Sequence, residues 1–334
     1  MAILYTLIAI VVAVGFWKVV KLFGLDSVIA NKKDNQYQGV MFAVVGVLFF
    51  DFVLYCFIDF SEVMLPPAAS VEGEKYDTLY NITMIMILIV FFVTQIILFY
   101  FAYSYRGIKD RKASFFHDSR TLEIIWTMVP AVVLSVLVIY GLFVWNDLMD
   151  TSKAKEPLVI EVYGKQFSWE ARYPGKDNEL GLANVINIKG MNTMGIDMKD
   201  KYALDDIPVR ELHLPKNRKI IFKFRSQDVL HSAYMPHFRA QMNCVPGMVT
   251  QFGFTPKYTT KEMRKQPETV NKIKKINKIR AEKGEDPYEF DFLLLCNKIC
   301  GSSHYNMQMK IVVEEEEKFN AWLGEQKTIS QLIQ

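Results

Sequence analysis

Four membrane-spanning helices carrying one all-β domain is the architecture this sequence predicts. Three observations lead there. Four apolar runs, each near the roughly 20 residues that a bilayer core demands, occupy the first part of the 334-residue chain. From about Pro157 the texture changes to short runs rich in Val, Ile, Phe and Tyr. One of these runs alternates apolar and charged residues with the period of a half-buried strand. Hydrophobic residues make up 51% of the chain, which suits a membrane part joined to a water-exposed part.

The apolar runs are Ala2–Val20, Gly39–Ile58, Ile82–Tyr103 and Ile124–Trp145. The first lacks a basic stretch before it, and Lys18 and Lys21 come at its end, so it reads as a retained helix with its N-terminus outside. Leu22–Gln38 carries Lys32 and Lys33, and Gly107–Leu122 carries Lys109, Arg111, Lys112 and Arg120, just after Arg106. The loop Ser61–Tyr80 sets only Lys75 against Glu62, Glu72, Glu74 and Asp77. By the positive-inside rule the first and third loops are cytoplasmic, and everything after Trp145 is extracytoplasmic.

In the β part, strands are expected at Leu158–Tyr163, Phe167–Tyr173, Lys219–Phe224, Val249–Phe254, Phe290–Leu295 and Met309–Val313. Ile220, Phe222 and Phe224 point one way, and Lys223 and Arg225 the other. Gly, Pro and Asn clusters between short strands imply an antiparallel sandwich or barrel. Glu314–Gln326 reads as a surface helix with Phe319 and Trp322 packing back. One segment breaks the strand rhythm: residues 257–283 hold ten Lys or Arg against three Glu. There Val270, Ile273, Ile276 and Ile279 recur every third residue, as in a basic amphipathic helix. It is a solvated insertion, or a dock for an acidic partner or for anionic lipid headgroups.

A net charge of +3, with no basic face interleaved with stacking aromatics, gives no footing for nucleic acid. The cysteines are Cys56, Cys244, Cys296 and Cys300, too few for a disulfide scaffold. Chemistry concentrates around the close pair, in Cys296-Asn297-Lys298-Ile299-Cys300-Gly301-Ser302-Ser303-His304-Tyr305-Asn306-Met307. A second imidazole, His231, stands at the edge of an earlier strand in Asp228-Val229-Leu230-His231-Ser232. Thiolates, imidazoles and a thioether together select copper in an electron-transfer site. In cupredoxin chemistry one ligand comes from a remote strand and the rest from one loop, so the barrel sets the geometry before metal arrives. A mononuclear blue site uses a single thiolate, whereas two cysteines can bridge a pair of coppers. The competing reading is a Cys296–Cys300 disulfide in an oxidising compartment.

This cluster, with Asp228–Ser232, resembles the CuA motif of cytochrome c oxidase subunit II. The resemblance runs from about Asn81 to Gln326. It implies a cupredoxin-like Greek-key barrel on a helical hairpin, with a binuclear copper centre (CuA) held by His231, Cys296, Cys300, His304, Met307 and the backbone carbonyl of Lys298. Leu122-Glu123-Ile124-Ile125-Trp126 resembles the start of the family's second anchor helix, which implies that Glu123 lies near the mouth of a proton channel into subunit I. A carboxylate favoured by the helix dipole is the plainer account. The domains follow: 1–60, an extra helical pair; 81–146, the hairpin; 151–326, the extracytoplasmic copper domain with insertion 257–283.

The chain departs from the family pattern at several positions. Lys298 stands where the family has a Glu that helps hold an interfacial magnesium-type ion, so that ion is doubtful here. Gly164-Lys165-Gln166-Phe167-Ser168-Trp169 has Phe167 in place of the family's first Trp, leaving Trp169 on the electron path. Asn243 and Met248 replace the common Asp and Arg. These changes speak against the usual docking of a soluble basic cytochrome c and for a donor that is tethered or held in a supercomplex.

No Cys-x2-Cys-His motif occurs, so no haem is expected on this chain. His117, His213 and Cys56 read as surface or structural residues, Cys244 as a small buried one, and His237 as a candidate neighbour of the copper ligands. The implied function is to accept electrons from cytochrome c and pass them to haem in subunit I, for oxygen reduction coupled to proton pumping in a bacterial cytoplasmic membrane. Partners would be subunit I, other oxidase subunits and membrane lipids. The alternatives are the CuA subunit of a nitric oxide reductase and a membrane-anchored copper-delivery or thiol-redox module.

Overall fold

The computed structural model describes residues 14–15, 32–108, 111–112, 114–150 and 156–332. Apart from Val14 and Gly15, the expected span Ala2–Val20 lies outside the described residues. Three long helices follow: α1 (Lys32–Met64), α2 (Val71–Ser104) and α3 (Arg120–Met149). Each is long and apolar enough to cross a membrane. All three exceed the expected apolar runs. The 34 residues of α2 extend about 51 Å against a hydrocarbon core of about 30 Å, so the polar ends stay helical beyond the apolar layer.

The chain forms two units, residues 1–58 with 87–119, and residues 59–86 with 120–334. In the first, Phe49 lies 6.0 Å from both Phe91 and Phe99, and Phe50 stacks on Phe92 at 5.7 Å. Arg106 donates to Gln36 Oε1 at 2.8 Å.

In the second unit the outer end of α2 is tied into the β domain. Val71 N–H donates to the Thr255 carbonyl at 3.0 Å, and Ala69 N–H to that of His237 at 2.6 Å. Glu72 pairs with Lys219 at 2.7 Å, and Arg239 with Asp77 at 2.7 Å. Lys75 pairs with Asp147 on α3.

The domain is a sandwich of two five-stranded sheets, ordered β3-β2-β1-β5-β8 and β4-β10-β9-β6-β7. The strands are β1 (Leu158–Lys165), β2 (Ser168–Tyr173), β3 (Ile207–Val209), β4 (Leu212–Pro215) and β5 (Ile220–Ser226). They continue with β6 (His231–Met235), β7 (Ala240–Cys244), β8 (Thr250–Phe254), β9 (Phe292–Cys296) and β10 (Gln308–Glu314). The six expected strands are present, and β3, β4, β6 and β7 are added. These four are short and polar or Pro-containing, and their neighbours rather than their own propensity make them strands.

The sheets are mixed rather than purely antiparallel: β1 runs parallel to β5 and β4 parallel to β10. After β3 the chain crosses to the other sheet for β4 and returns for β5, which brings β5 beside β1 in the same direction. Between the sheets Phe238 stacks on Phe254 at 4.5 Å and Phe222 on Phe254 at 5.3 Å. These rings fill the core with large apolar area.

A charged cluster lies within the domain. Arg172 bridges Glu161 at 2.8 Å and Asp206 at 2.7 Å, and Arg225 adds a second contact to Glu161 at 2.7 Å. Asp206 Oδ2 also accepts from Gly181 N–H at 3.1 Å. The cluster thereby pins the long excursion between β2 and β3 to the sheet.

The basic segment forms two helices rather than one, α4 (Thr260–Met263) and α5 (Pro267–Glu282). Thr259 and Glu262 close a capping box on α4, and Pro267 can only open a new helix. The expected terminal helix is α6 (Glu316–Glu325). Its Phe319 is buried, and Trp322 stacks on His213 at 3.9 Å. His213 is therefore structural. The short α7 (Ile329–Leu332) follows.

Candidate metal centre

Strand parity assembles one end of the sandwich. Ala233 of β6 pairs with Cys296 of β9. His231, two residues from Ala233, shares its face and reaches past the end of β9. Asn297 N–H donates to the Ser232 carbonyl at 2.9 Å, holding the strands together until the loop departs. That loop returns through a 3-10 turn, His304–Asn306, and delivers Met307 directly before β10.

The side chains then converge. Cys296 Sγ lies 3.8 Å from Cys300 Sγ, and both cysteines are free. This separation is far beyond a disulfide bond of about 2.05 Å. At a metal–sulfur distance of about 2.3 Å, both sulfurs can ligate one ion, and ions on either side of the line joining them. Each sulfur has its own imidazole: His231 Nδ1 is 3.7 Å from Cys296 Sγ, and His304 Nδ1 is 3.7 Å from Cys300 Sγ. Met307 Sδ lies 3.8 Å from Cys300 Sγ, and the Lys298 carbonyl 3.3 Å from Cys296 Sγ. His231, Cys296, Cys300 and Met307 are buried. Two thiols, two imidazoles, a thioether and one backbone carbonyl thus gather at this end of the sandwich, and the soft and borderline donors among them fit copper.

A second layer aims these donors. Asp228 Oδ1 accepts from His231 Nε2 at 2.8 Å, which places the ring proton on Nε2 and leaves Nδ1 a lone pair facing the sulfurs. Burial alone would raise the Asp228 pKa. The Gln166 N–H, the His231 imidazole and the Val229 N–H together hold it below the usual carboxylate range. Trp169 lies edge-on to the His231 ring at 5.9 Å, and its indole N–H donates to the Met307 carbonyl at 3.4 Å. Gln166 Nε2 donates to the Cys300 carbonyl. Gly301 has φ +144, and a Cβ there would come within 2.7 Å of the Phe167 ring. Only glycine lets that ring cover the loop. Burial first, and the neighbouring Cys296 second, push the Cys300 thiol up to about 11. Any metal must displace a proton to bind there.

Asp228 and Gln166 contact this cluster directly, and the sequence reading passed them over as candidates. An acid three residues before a candidate ligand His was the available signal. Asp228→Ala is expected to weaken copper binding by about 10–100-fold, measured by competition with a chelator, and Asp228→Asn less, since an amide oxygen can still accept from Nε2.

The other candidates lie elsewhere. Glu123 is in the first turn of α3, at the end of that helix away from the β domain that follows it. His237 packs edge-on against Phe290 and Phe292 at 5.0 and 5.5 Å, at the sandwich end that joins the membrane helices. Burial, followed by Lys272 and Arg239, lowers its pKa to about 4. It is not a neighbour of the candidate copper ligands: a neutral imidazole inside aromatic packing. Cys244 pairs in register with His231, and burial pushes its thiol to about 12, so it behaves as a small buried side chain.

Comparison with known proteins finds relatives of both the helical part and the β part. Residues 59–144 match the family described as cytochrome C oxidase subunit II, transmembrane domain, and residues 158–262 match its periplasmic domain. The second match ends inside the basic insertion, before the cysteine loop. Among curated proteins, the alternative cytochrome c oxidase subunit 2 of Bradyrhizobium diazoefficiens is 32% identical over 275 residues, covering 82% of this chain and 87% of that one. Cytochrome c oxidase subunit 2 of Cereibacter sphaeroides is 25% identical over 270 residues, covering 77% and 78%. Among solved structures, the periplasmic domain of subunit II of cytochrome oxidase of Bradyrhizobium japonicum is 22% identical with a TM-score of 0.31, covering 52% of this chain and 93% of that one.

Proposed function

Since this chain belongs to the cytochrome c oxidase subunit II family, we propose that its β domain holds a binuclear copper centre, accepts electrons from a cytochrome c and passes them to a haem–copper partner subunit. The chain is a membrane-anchored component of an oxidoreductase complex. One observation carries the copper reading. Two free thiols 3.8 Å apart, each with an imidazole nitrogen at 3.7 Å, stand at the rim of a rigid sandwich. The ligands would be Cys296, Cys300, His231, His304, Met307 and the Lys298 carbonyl. A bound copper pair supplies a one-electron relay.

The chain's own residues supply the rest. Asp228 fixes the His231 tautomer, Trp169 braces both His231 and the Met307 carbonyl, and the Phe167 ring lies against Gly301. Rigid ligands move little when charge changes, which favours rapid transfer. Trp169, buried beside His231, offers an aromatic path toward the donor face. On that face Ile299 and Tyr305 are each 87% exposed beside Lys298, an apolar rim suited to a tethered or supercomplex-held donor. The Lys298 ammonium cannot ligate a cation, so an interfacial magnesium-type ion would be absent or held by other groups. Glu123, at the cytoplasmic start of α3, would feed protons toward subunit I. The domain would face the periplasm from a bacterial inner membrane.

The test is spectroscopic. The full chain loaded with copper is expected to give a purple, mixed-valence species, with the unpaired electron shared over two ions in its paramagnetic resonance spectrum. A mononuclear signal would defeat the proposal.

A further inference from the structure

The copper reading leaves the insertion 257–283 without a role, and the structure places it at the anchored end of the β domain, away from the metal loop. Lys257 pairs with Glu74 at 2.5 Å, and its N–H donates to the Ala69 carbonyl at 2.8 Å. Glu74 is in the first turn of α2, eight residues before Ile82, where the apolar run Ile82–Tyr103 begins. At 1.5 Å per residue this sets Lys257 roughly 12 Å outside the hydrocarbon border. That is a few ångströms beyond the headgroup layer, within reach of an extended lysine side chain. The Lys75–Asp147 pair marks the same border on α3, two residues after Trp145.

The helix α5 stays at this end. Thr269 is buried and Ile273 packs on the domain core. Lys272 lies near His237, whose carbonyl takes the Ala69 N–H. On the opposite face of α5, one turn apart, Lys274 and Lys278 are exposed. Ile279 is 54% exposed at the edge of that face. Lys261, Lys265 and Lys283 extend the charge. A lysine stem adds reach toward phosphate while its methylenes lie along apolar surface.

We infer that the segment 257–283 binds the anionic phospholipid headgroups of the membrane in which its own helices anchor the chain. An acidic protein would also meet the charge. Continuity with the membrane helices and the nearness of Lys257 to the headgroup layer favour the lipid. The inference depends on membrane anchoring and not on the copper reading. Docked on headgroups, the helix would brace the β domain against the bilayer at the end remote from the metal loop.

Amide hydrogen exchange of the full chain in lipid nanodiscs tests this. With roughly one-third phosphatidylglycerol in phosphatidylcholine, exchange across α5 is expected to slow about fivefold relative to phosphatidylcholine alone. The slowing should vanish in the Lys274→Glu, Lys278→Glu double variant and at about 0.5 M salt, and persist when both lysines become arginine. Unchanged exchange in β9 and β10 verifies that the variants fold. Equal exchange of the unmodified chain in the two discs overturns the inference. Protection seen only in native membranes also overturns it, and assigns the face to a protein.

Discussion

Replacing Cys300 with serine is expected to abolish the two-copper spectrum and to lower the rate of electron acceptance by more than about 100-fold. The sulfur of Cys300 is the hub of the cluster, 3.8 Å from Cys296 Sγ, 3.7 Å from His304 Nδ1 and 3.8 Å from Met307 Sδ. A serine hydroxyl is harder and far less acidic than a thiol, so it does not bridge two soft ions at neutral pH. With one thiolate left, the site has the composition of a mononuclear centre. Copper per chain should fall from two to one or none, and the hyperfine pattern should change to that of a single ion. Cys244→Ala is the control: that thiol is buried opposite His231 and is expected to leave the spectrum unchanged. A mixed-valence signal surviving in Cys300→Ser would remove this cysteine from the ligand set.

The largest loss of stability is expected from Arg172→Met. Arg172 is 1% exposed and its partner Asp206 is 0% exposed, so the change strands one buried carboxylate and strips another of a contact. Removing one partner of a buried ion pair costs about 3–5 kcal/mol.

The penalty should depend on pH, because burial, against the pull of Arg172, raises the Asp206 pKa from 3.8 to about 7. A carboxyl with a raised folded-state pKa takes up a proton on folding. Its contribution to stability is therefore present at low pH and falls as pH climbs from about 4 to about 7. Arg172→Met should accordingly be tolerated better near pH 5.5 than near pH 8, where the stranded carboxylate must stay charged or take a costly proton. Thermal unfolding at the two pH values measures this. In Asp206→Asn the pH slope from this group should disappear. Equal losses at both pH values would mean that Asp206 stays ionised throughout.

Much of the candidate site was legible because its donors are packed into twelve consecutive residues, Cys296 to Met307, whose types are rarely combined except to hold metal. His231 was legible from its own short motif, although 65 positions separate it from Cys296. Asp228 was harder to see. An acidic residue near a histidine is common, and only the fold shows that its oxygen lies 2.8 Å from Nε2 rather than facing solvent. His237 shows the opposite failure. Six residues after a ligand it sounded like a neighbour, but a strand carries residues about 3.3 Å each, so Pro236 and His237 come out at the far end of the sandwich.

By itself the sequence determined the membrane anchor, the β character of the rest and the cluster of thiol, imidazole and thioether side chains. Each of these is written in local composition: apolar run length against bilayer thickness, alternation against sheet faces, donor softness against metal type. Tertiary structure alone decided what depends on contacts between distant segments. Pairing made strands of β4, β6 and β7, whose own residues argue weakly for any state. The crossover between sheets made β1 and β5 parallel. The contact of Lys257 with Glu74, 183 positions away, set the basic insertion beside the membrane helices. Composition records what a segment can bury or bind, and only the folded chain settles which partner is within reach.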